Sequence, residues 1–358
     1  MKKLILLLVL PSILLISCAK EETESAETIQ DKLLRSYITV VHLDTLQPTT
    51  MGYYVMKINE GTGATPKIGD WIKWDQTQRY LDETVISVTE KSDAIEYNLF
   101  DKYMQTTHYV PNYGYLDENY IAQCLADVFP KMKTGAQYRL FVPGRFMSTK
   151  GSSTQTGSVS YILDIVLREV IEKPQEYELN QVLDYLYLNH PDININDSIK
   201  NGLYAKVTYT APDITWELDS LGVLQPIEKD TASAVDGRTV YVTYVGRFLD
   251  GFVFDTNIID SAKTHNIYDP SRAYDTLSFA IGNDNVVPGF EEIVKKLKTG
   301  DAGIGFFTSE WGYGIYGSSG TTNNYDEYGN VIESTLSSSI QSYTPLFFDV
   351  RLHRITHQ

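Results

Sequence analysis

The side chains best suited to covalent or metal chemistry are present in this chain but are never spaced to use it. Its six His residues are scattered, with no His-Glu-x-x-His motif and no pair at metal-ligand spacing. The run from Asp192 through Asn194 and Asn196 has the alternating oxygens of a calcium loop. Its sixth position is Asp197 where that loop needs Gly, and its twelfth is Leu203 where it needs Glu. No Gly-x-x-x-x-Gly-Lys-Ser/Thr phosphate loop occurs, and Ser152-Ser153 lies in a polar stretch unlike a nucleophile elbow. No metal site is expected. Two Cys in 358 residues exclude a disulfide framework.

Composition narrows the class further. A chain of 358 residues suggests about two domains. With 42% hydrophobic and 21% charged residues it is neither globally disordered nor a multi-span membrane protein. A formal charge of −16 argues against nucleic acid as a partner, since that surface needs a basic face. The 26 Tyr and 12% aromatics fit β-rich structure.

The N-terminus reads as a targeting segment. Lys2 and Lys3 precede an apolar run over 4–16 that is too short to span a bilayer comfortably. The run ends in Leu15-Ile16-Ser17-Cys18, which resembles the bacterial lipobox. That resemblance implies a signal peptide over 1–17, lipidation of Cys18, attachment to the membrane through it, and a flexible tether over 18–27. It places the protein as a bacterial outer-membrane lipoprotein, periplasm-facing or cell-surface exposed. Glu21-Glu22 next to the anchor fit an export tag, and fit equally a tether with no sorting role. Cys124 is then left without a partner and is expected to be a buried structural thiol.

Most of the chain is an internal repeat, visible as matches in one order. RYLDETVISVT at 79–89 matches RFLDGFVFDTN at 247–257, and KMKTG at 131–135 matches KLKTG at 296–300. SYILDIVL at 160–167 matches PLFFDVRL at 345–352. A Leu- and Tyr-rich helical segment precedes each copy, from Asp31 and from Leu179. Residues 28–171 and 201–358 are read as two modules, with a linker and helix over 172–200. In the second, 239–249, 302–309 and 345–355 read as strands. The segment after Pro288 reads as a helix, with Phe290, Ile293, Val294 and Leu297 at helical spacing and Gly300 at its C-terminal cap. The fold class is α+β.

Four ordered blocks in the second copy resemble FKBP-type peptidyl-prolyl cis-trans isomerases. They are V-x-V-x-Y-x-G-x-x-x-D-G-x-x-F-D at 240–255, F-x-I-G and V-x-x-G-F within 279–290, W-G-Y-G at 311–314, and P-L-F-F-D-V at 345–350. The resemblance implies two tandem FKBP-like domains, each a bent antiparallel sheet wrapped on a short helix. It implies an apolar bowl that receives proline, with Tyr244 and Phe254 as walls and Asp255 as the polar group beside them. Leu277 and Phe279 lie on the next strand. The Val287 N–H, with Val286 beside it, receives a ligand carbonyl. Phe290 is the floor, where the family usually has Trp; Tyr313 offers its hydroxyl, and Phe348 closes the far wall. Catalysis of this kind uses no cofactor, and its partners are proline-containing polypeptide clients.

Two loops depart from the family, a long connection over 258–276 and an insertion over 315–343 at the flap, where DEYGNVIE at 326–333 reads as a hairpin tip. The first copy departs in the site itself. The matched segments put Gln76 at the place of Tyr244, Ile86 at Phe254, Ser87 at Asp255 and Leu125 at Phe290, and no W-G-Y-G follows Val142-Pro143. The expected function is a membrane-anchored isomerase assisting the folding of exported proteins, with the second copy alone catalytic. The alternative is a non-catalytic lipoprotein that binds or chaperones clients.

Overall fold

The computed structural model describes residues 25–103, 105, 107–152, 159–191, 202–218, 220–325 and 331–356. Cys18, most of the calcium-like run and the tip of the 315–343 insertion lie outside them.

The first module opens with α1 (Ala26–Val40). It begins inside the stretch expected to be tether, because Ser25 caps it by accepting the Thr28 N–H at 3.2 Å. There follow β1 (Tyr54–Asn59), β2 (Trp71–Tyr80), β3 (Val85–Val88), α2 (Lys91–Glu96), β4 (Asn112–Tyr115), α3 (Gln123–Val128), β5 (Gln137–Pro143) and β6 (Ser160–Ile171). The linker helix α4 (Pro174–Asn189) leads into β7 (Leu203–Tyr209) and a separate ribbon of β8 (Ile214–Leu218) and β9 (Leu224–Glu228). The second module continues with β10 (Thr239–Arg247), β11 (Val253–Thr256), α5 (Ile259–Thr264), β12 (Leu277–Ala280), α6 (Pro288–Lys295) and β13 (Ala302–Phe307). It closes with β14 (Ser318–Tyr325), β15 (Val331–Ile340) and β16 (Leu346–Ile355).

The two sheets have one topology. The first runs β1-β5-β6-β2-β3 with β4 also on β2; the second runs β7-β13-β16-β10-β11 with β12 also on β10. All of these pairings are antiparallel. Even the irregularities match. β2 slips register against β3 between Gln78 and Arg79, and β10 slips against β11 between Gly246 and Arg247, the same place in the repeat. The Arg after each bulge pairs with an Asp on the neighbouring strand, Arg79 with Asp164 and Arg247 with Asp349.

Each sheet buries two apolar faces. One packs on the module's short helix: Leu125 and Val128 of α3 in the first, Phe290, Ile293 and Val294 of α6 in the second. α6 lies so close to β13 that a Cβ on Gly305 would stand 2.2 Å from Ile293, so only glycine permits the approach. The other face is covered by the helix that precedes the module. Leu34 and Ile38 of α1 meet Tyr54, Phe141 and Ile162, while Val182 and Leu186 of α4 meet Tyr204, Phe306 and Phe347. α4 therefore belongs to the second module's core as well as to the linker. Cys124 is fully buried in the first core, and burial pushes its thiol up to about 12.

Two local expectations change. α6 ends at Lys295, well before Gly300, because Asp301 draws in the Lys298 N–H at 3.0 Å and turns the chain. Gly300 then sits at φ +86 in that turn. The 258–276 connection contains α5, and the 315–343 insertion forms the β14–β15 ribbon. The modules touch through His108, which stacks on Phe248 at 4.5 Å and meets Asp250 at 2.5 Å, and through Trp71, edge-on to Tyr343 at 4.8 Å.

Candidate functional site

The aromatic cluster of the second module is built on β10, β11, β12, β16 and α6. Tyr244 points from β10 into the core and is 8% exposed. Its ring stands edge-on to Phe290 of α6 at 5.4 Å, and Phe290 stands edge-on to Phe348 of β16 at 5.1 Å. Phe254 of β11 closes the ring from the other side, 5.7 Å from Phe348 at 89°. Edge-to-face packing of this kind is the favoured aromatic geometry and holds all four rings in place. Phe279 of β12 backs Phe290 at 6.0 Å. Leu277, Val286 and Val287 are partly buried against the same cluster.

The polar groups converge at the rim. The Tyr244 hydroxyl donates to Asp255 at 2.5 Å. Burial, followed by the charge of Asp255, raises that hydroxyl above its ordinary range. Asp255 is held on its other oxygen by Arg272 at 2.5 Å, and the second Arg272 nitrogen reaches the Tyr244 hydroxyl at 3.3 Å. Burial alone would lower the guanidinium's pKa; the bond to Asp255 overrides it and raises it. Asn257 fixes β10 from behind, accepting the Tyr244 N–H at 2.8 Å and donating to Val242 at 3.0 Å.

Two donors remain available to a ligand. Val287 is the extended residue before α6, and among the described residues nothing accepts its N–H. Tyr313 follows the turn Ser309–Trp311, is 36% exposed, and its hydroxyl has no hydrogen-bond partner among the described residues. Burial, then the charge of Asp255, raises that hydroxyl as well. The structure thus brings Tyr244, Phe254, Asp255, Leu277, Phe279, Val286, Val287, Phe290, Tyr313 and Phe348 to one face of the module. Cys18 lies outside the described residues.

Sequence reasoning missed Arg272 and Gly246. Arg272 sits in the long connection, and nothing in its neighbours announces that this loop folds back to Asp255. Gly246 appears in the first motif, but its role depends on rings far away in the chain. A Cβ there would stand 2.8 Å from both Phe254 and Phe348.

In the first module the matched positions carry other chemistry. Gln76 stands for Tyr244 and accepts from the Trp74 indole at 3.2 Å. Gln78 stands for Gly246, and Gly114 of β4 is paired as Phe279 of β12 is. Beside them a cleft of about 740 Å³ opens where the two modules meet, lined by Trp71, Trp74, Tyr113 and Leu125 from the first and by Tyr316 and Tyr343 from the second. The first module holds neither a carboxylate nor a tyrosine at the place of the Asp255–Tyr244 pair.

Residues 230–353 match the sequence profile of a family described as FKBP-type peptidyl-prolyl cis-trans isomerase. Over 79 residues the chain is 38% identical to a short-type peptidyl-prolyl cis-trans isomerase of Methanocaldococcus jannaschii, covering 22% of this chain and 50% of that protein. The chain thus spans about half the length of that curated relative. Among solved structures, the three FKBP domains of wheat FKBP73 align at 15% identity and TM-score 0.26, covering 86% of this chain and 97% of that one. FkpA from Escherichia coli aligns at 13% identity and TM-score 0.30, covering 41% and 60%. The sequence match to the FKBP-type peptidyl-prolyl cis-trans isomerase family thus falls on the second module, the one that carries the aromatic cluster.

Proposed function

We propose that the second module catalyses rotation about X–Pro peptide bonds in polypeptide clients, without a covalent intermediate. The observation that carries this reading is the convergence of four interlocked rings with two donors that have no acceptor among the described residues, the Val287 N–H and the Tyr313 O–H. A planar amide is held by resonance, and crossing between its isomers costs about 18–20 kcal/mol. At the twisted midpoint the C–N double-bond character is lost, and with it much of the charge on the carbonyl oxygen. A dry bowl lined by Tyr244, Phe254, Phe290 and Phe348 therefore favours the twisted amide over the planar one. The proline ring rests on Phe290. The Val287 N–H holds a flanking carbonyl while Tyr313 steadies the other, so that one side of the bond rotates against a fixed partner. Asp255 is locked between Tyr244 and Arg272 and so holds the Tyr244 hydroxyl in a fixed direction.

A protease-coupled assay on an X-Pro peptide tests the reading. The wild-type chain should accelerate isomerisation, and a Tyr313→Phe, Asp255→Ala double variant should not. Equal rates from the two would remove it.

Restriction of catalysis to the second module is part of the proposal, supported by Gln76, Ile86, Ser87 and Leu125 at the matched positions. So are anchoring through Cys18 and a role in folding exported proteins, both supported by the Lys2-to-Cys18 segment. Loss of lipid labelling in Cys18→Ala tests the anchor. A second reading, holding of clients without turnover, is favoured by the aromatic cleft where the two modules meet. Titration of indole fluorescence with a proline-bearing peptide, in wild type and Trp74→Ala, tests that.

A further inference from the structure

Near the start of α4, outside the family-matched segment, lies a carboxylate that the mechanism above does not use. Glu178 is 2% exposed and makes no ion pair among the described residues. Both of its oxygens serve one residue 131 positions away. The Ser309 N–H donates to Oε1, and the Ser309 hydroxyl donates to Oε2 at 2.8 Å. A buried carboxylate without a cation is costly, and burial pushes this one up to about 7 against the two bonds from Ser309. Among its surroundings, Glu310 adds negative charge, and Tyr113 and Tyr343 feel its field.

What Ser309 does next gives the arrangement its consequence. Its carbonyl accepts the N–H of Gly312 and of Gly314, each at 2.8 Å. Those glycines flank Tyr313, so the loop that presents the hydroxyl hangs from the residue Glu178 grips. The far side of the loop is tied to α4 as well. The Gly314 carbonyl accepts the Tyr343 N–H at 3.3 Å, and the Tyr343 hydroxyl accepts from Gln175 at 3.4 Å. α4 itself cannot drift, since Val182 and Leu186 are seated on Tyr204, Phe306 and Phe347.

We propose that Glu178 is a positioning residue of the isomerase site, setting through Ser309 where the Tyr313 hydroxyl stands. This rests on the isomerase reading for its catalytic consequence but not for its geometry, and the test separates the two. The full chain in detergent is compared with Glu178→Ala, Glu178→Gln, Tyr313→Phe and the Glu178→Ala, Tyr313→Phe double variant. Glu178→Ala should lower kcat about tenfold or more with KM within twofold, because a small misplacement of a positioned group is enough for that loss. Glu178→Gln keeps an acceptor for the Ser309 N–H and should recover to within about threefold. In the Tyr313→Phe background, removing Glu178 should cost no more than twofold, a coupling that a merely structural role would not produce.

Fluorotyrosine placed at 313 and read by 19F NMR supplies the activity-independent arm. Its resonance should shift or broaden in Glu178→Ala and return in Glu178→Gln. An unchanged resonance in a folded Glu178→Ala, or an equal loss with and without the Tyr313 hydroxyl, overturns the proposal. If Glu178→Ala does not fold, the Glu178→Gln resonance decides: a position like that of the wild type supports it, and a displaced one overturns it. A wild type inactive towards X-Pro peptides sinks the isomerase reading while the 19F arm still decides this one.

Discussion

Gly246→Ala is the substitution whose effect the structure defines most sharply. The added methyl carbon would stand 2.8 Å from the Phe254 ring and 2.8 Å from the Phe348 ring, both walls of the bowl. Carbon contacts settle at about 3.5–4.0 Å, so each ring edge must retreat by roughly 0.7 Å or more. Neither can do so alone, because Phe348 is wedged against Phe290 and against Phe307 at 5.7 Å. Overpacking of this kind costs about 1–3 kcal/mol. Alanine in a strand returns about 0.5–1 kcal/mol over glycine. The net loss of stability should be about 0.5–2 kcal/mol, small enough for the module to fold. The bowl pays more heavily, since the rings that receive proline are the ones displaced, and kcat/KM should fall about 10- to 100-fold. Urea unfolding and the coupled isomerase assay on one preparation measure both. A variant with wild-type rate and a stability loss above 3 kcal/mol would refute the reasoning, as would one with neither effect.

Arg272→Ala frees Asp255. Since the pair is 38% and 35% exposed and solvent screens it, the loss should be about 1 kcal/mol, or roughly fivefold in kcat/KM, with Arg272→Lys intermediate. Glu178 has a folded-state value raised from 4.5 to about 7, so it favours the folded state at low pH, and that contribution fades as pH rises through 7. Denaturant midpoints should show wild type losing stability relative to Glu178→Gln between about pH 4.5 and 7, by at most about 3 kcal/mol, with no further change above. Cys124 is fully buried with its thiol pushed up to about 12, so a thiol reagent at pH 8 should label it only as fast as the first module opens. Rapid labelling of the native chain would contradict that burial.

The repeat and the second module's sheet were legible because strand alternation and turn residues are local, and the four blocks keep the register that sets their faces. The matching bulges at Gln78/Arg79 and Gly246/Arg247 lie inside the segments that align best. The aromatic set was legible for the same reason, since Tyr244, Phe254, Phe290 and Phe348 sit on regular elements. What stayed hidden depends on contacts between distant segments. Arg272 reaches Asp255 only because the loop after α5 folds back, and Glu178 reaches Ser309 across 131 residues. α6 stops four residues short of the end that a cap at Gly300 implies, because a side chain beyond it, Asp301, competes for the backbone N–H of Lys298. Local propensity carries no record of that competition.

One measurement reaches the centre of the account, that a single copy of a duplicated fold does the chemistry. Exchange NMR on an X-Pro peptide at equilibrium reads catalysed cis-trans interconversion directly, without a coupling protease. The wild type and a Gln76→Ala, Leu125→Ala variant of the first module should broaden the peptide's proline resonances equally, and the Asp255→Ala, Tyr313→Phe variant should leave them sharp. Undiminished exchange in the Asp255→Ala, Tyr313→Phe variant, or its loss in the Gln76→Ala, Leu125→Ala variant, would contradict the assignment of the site.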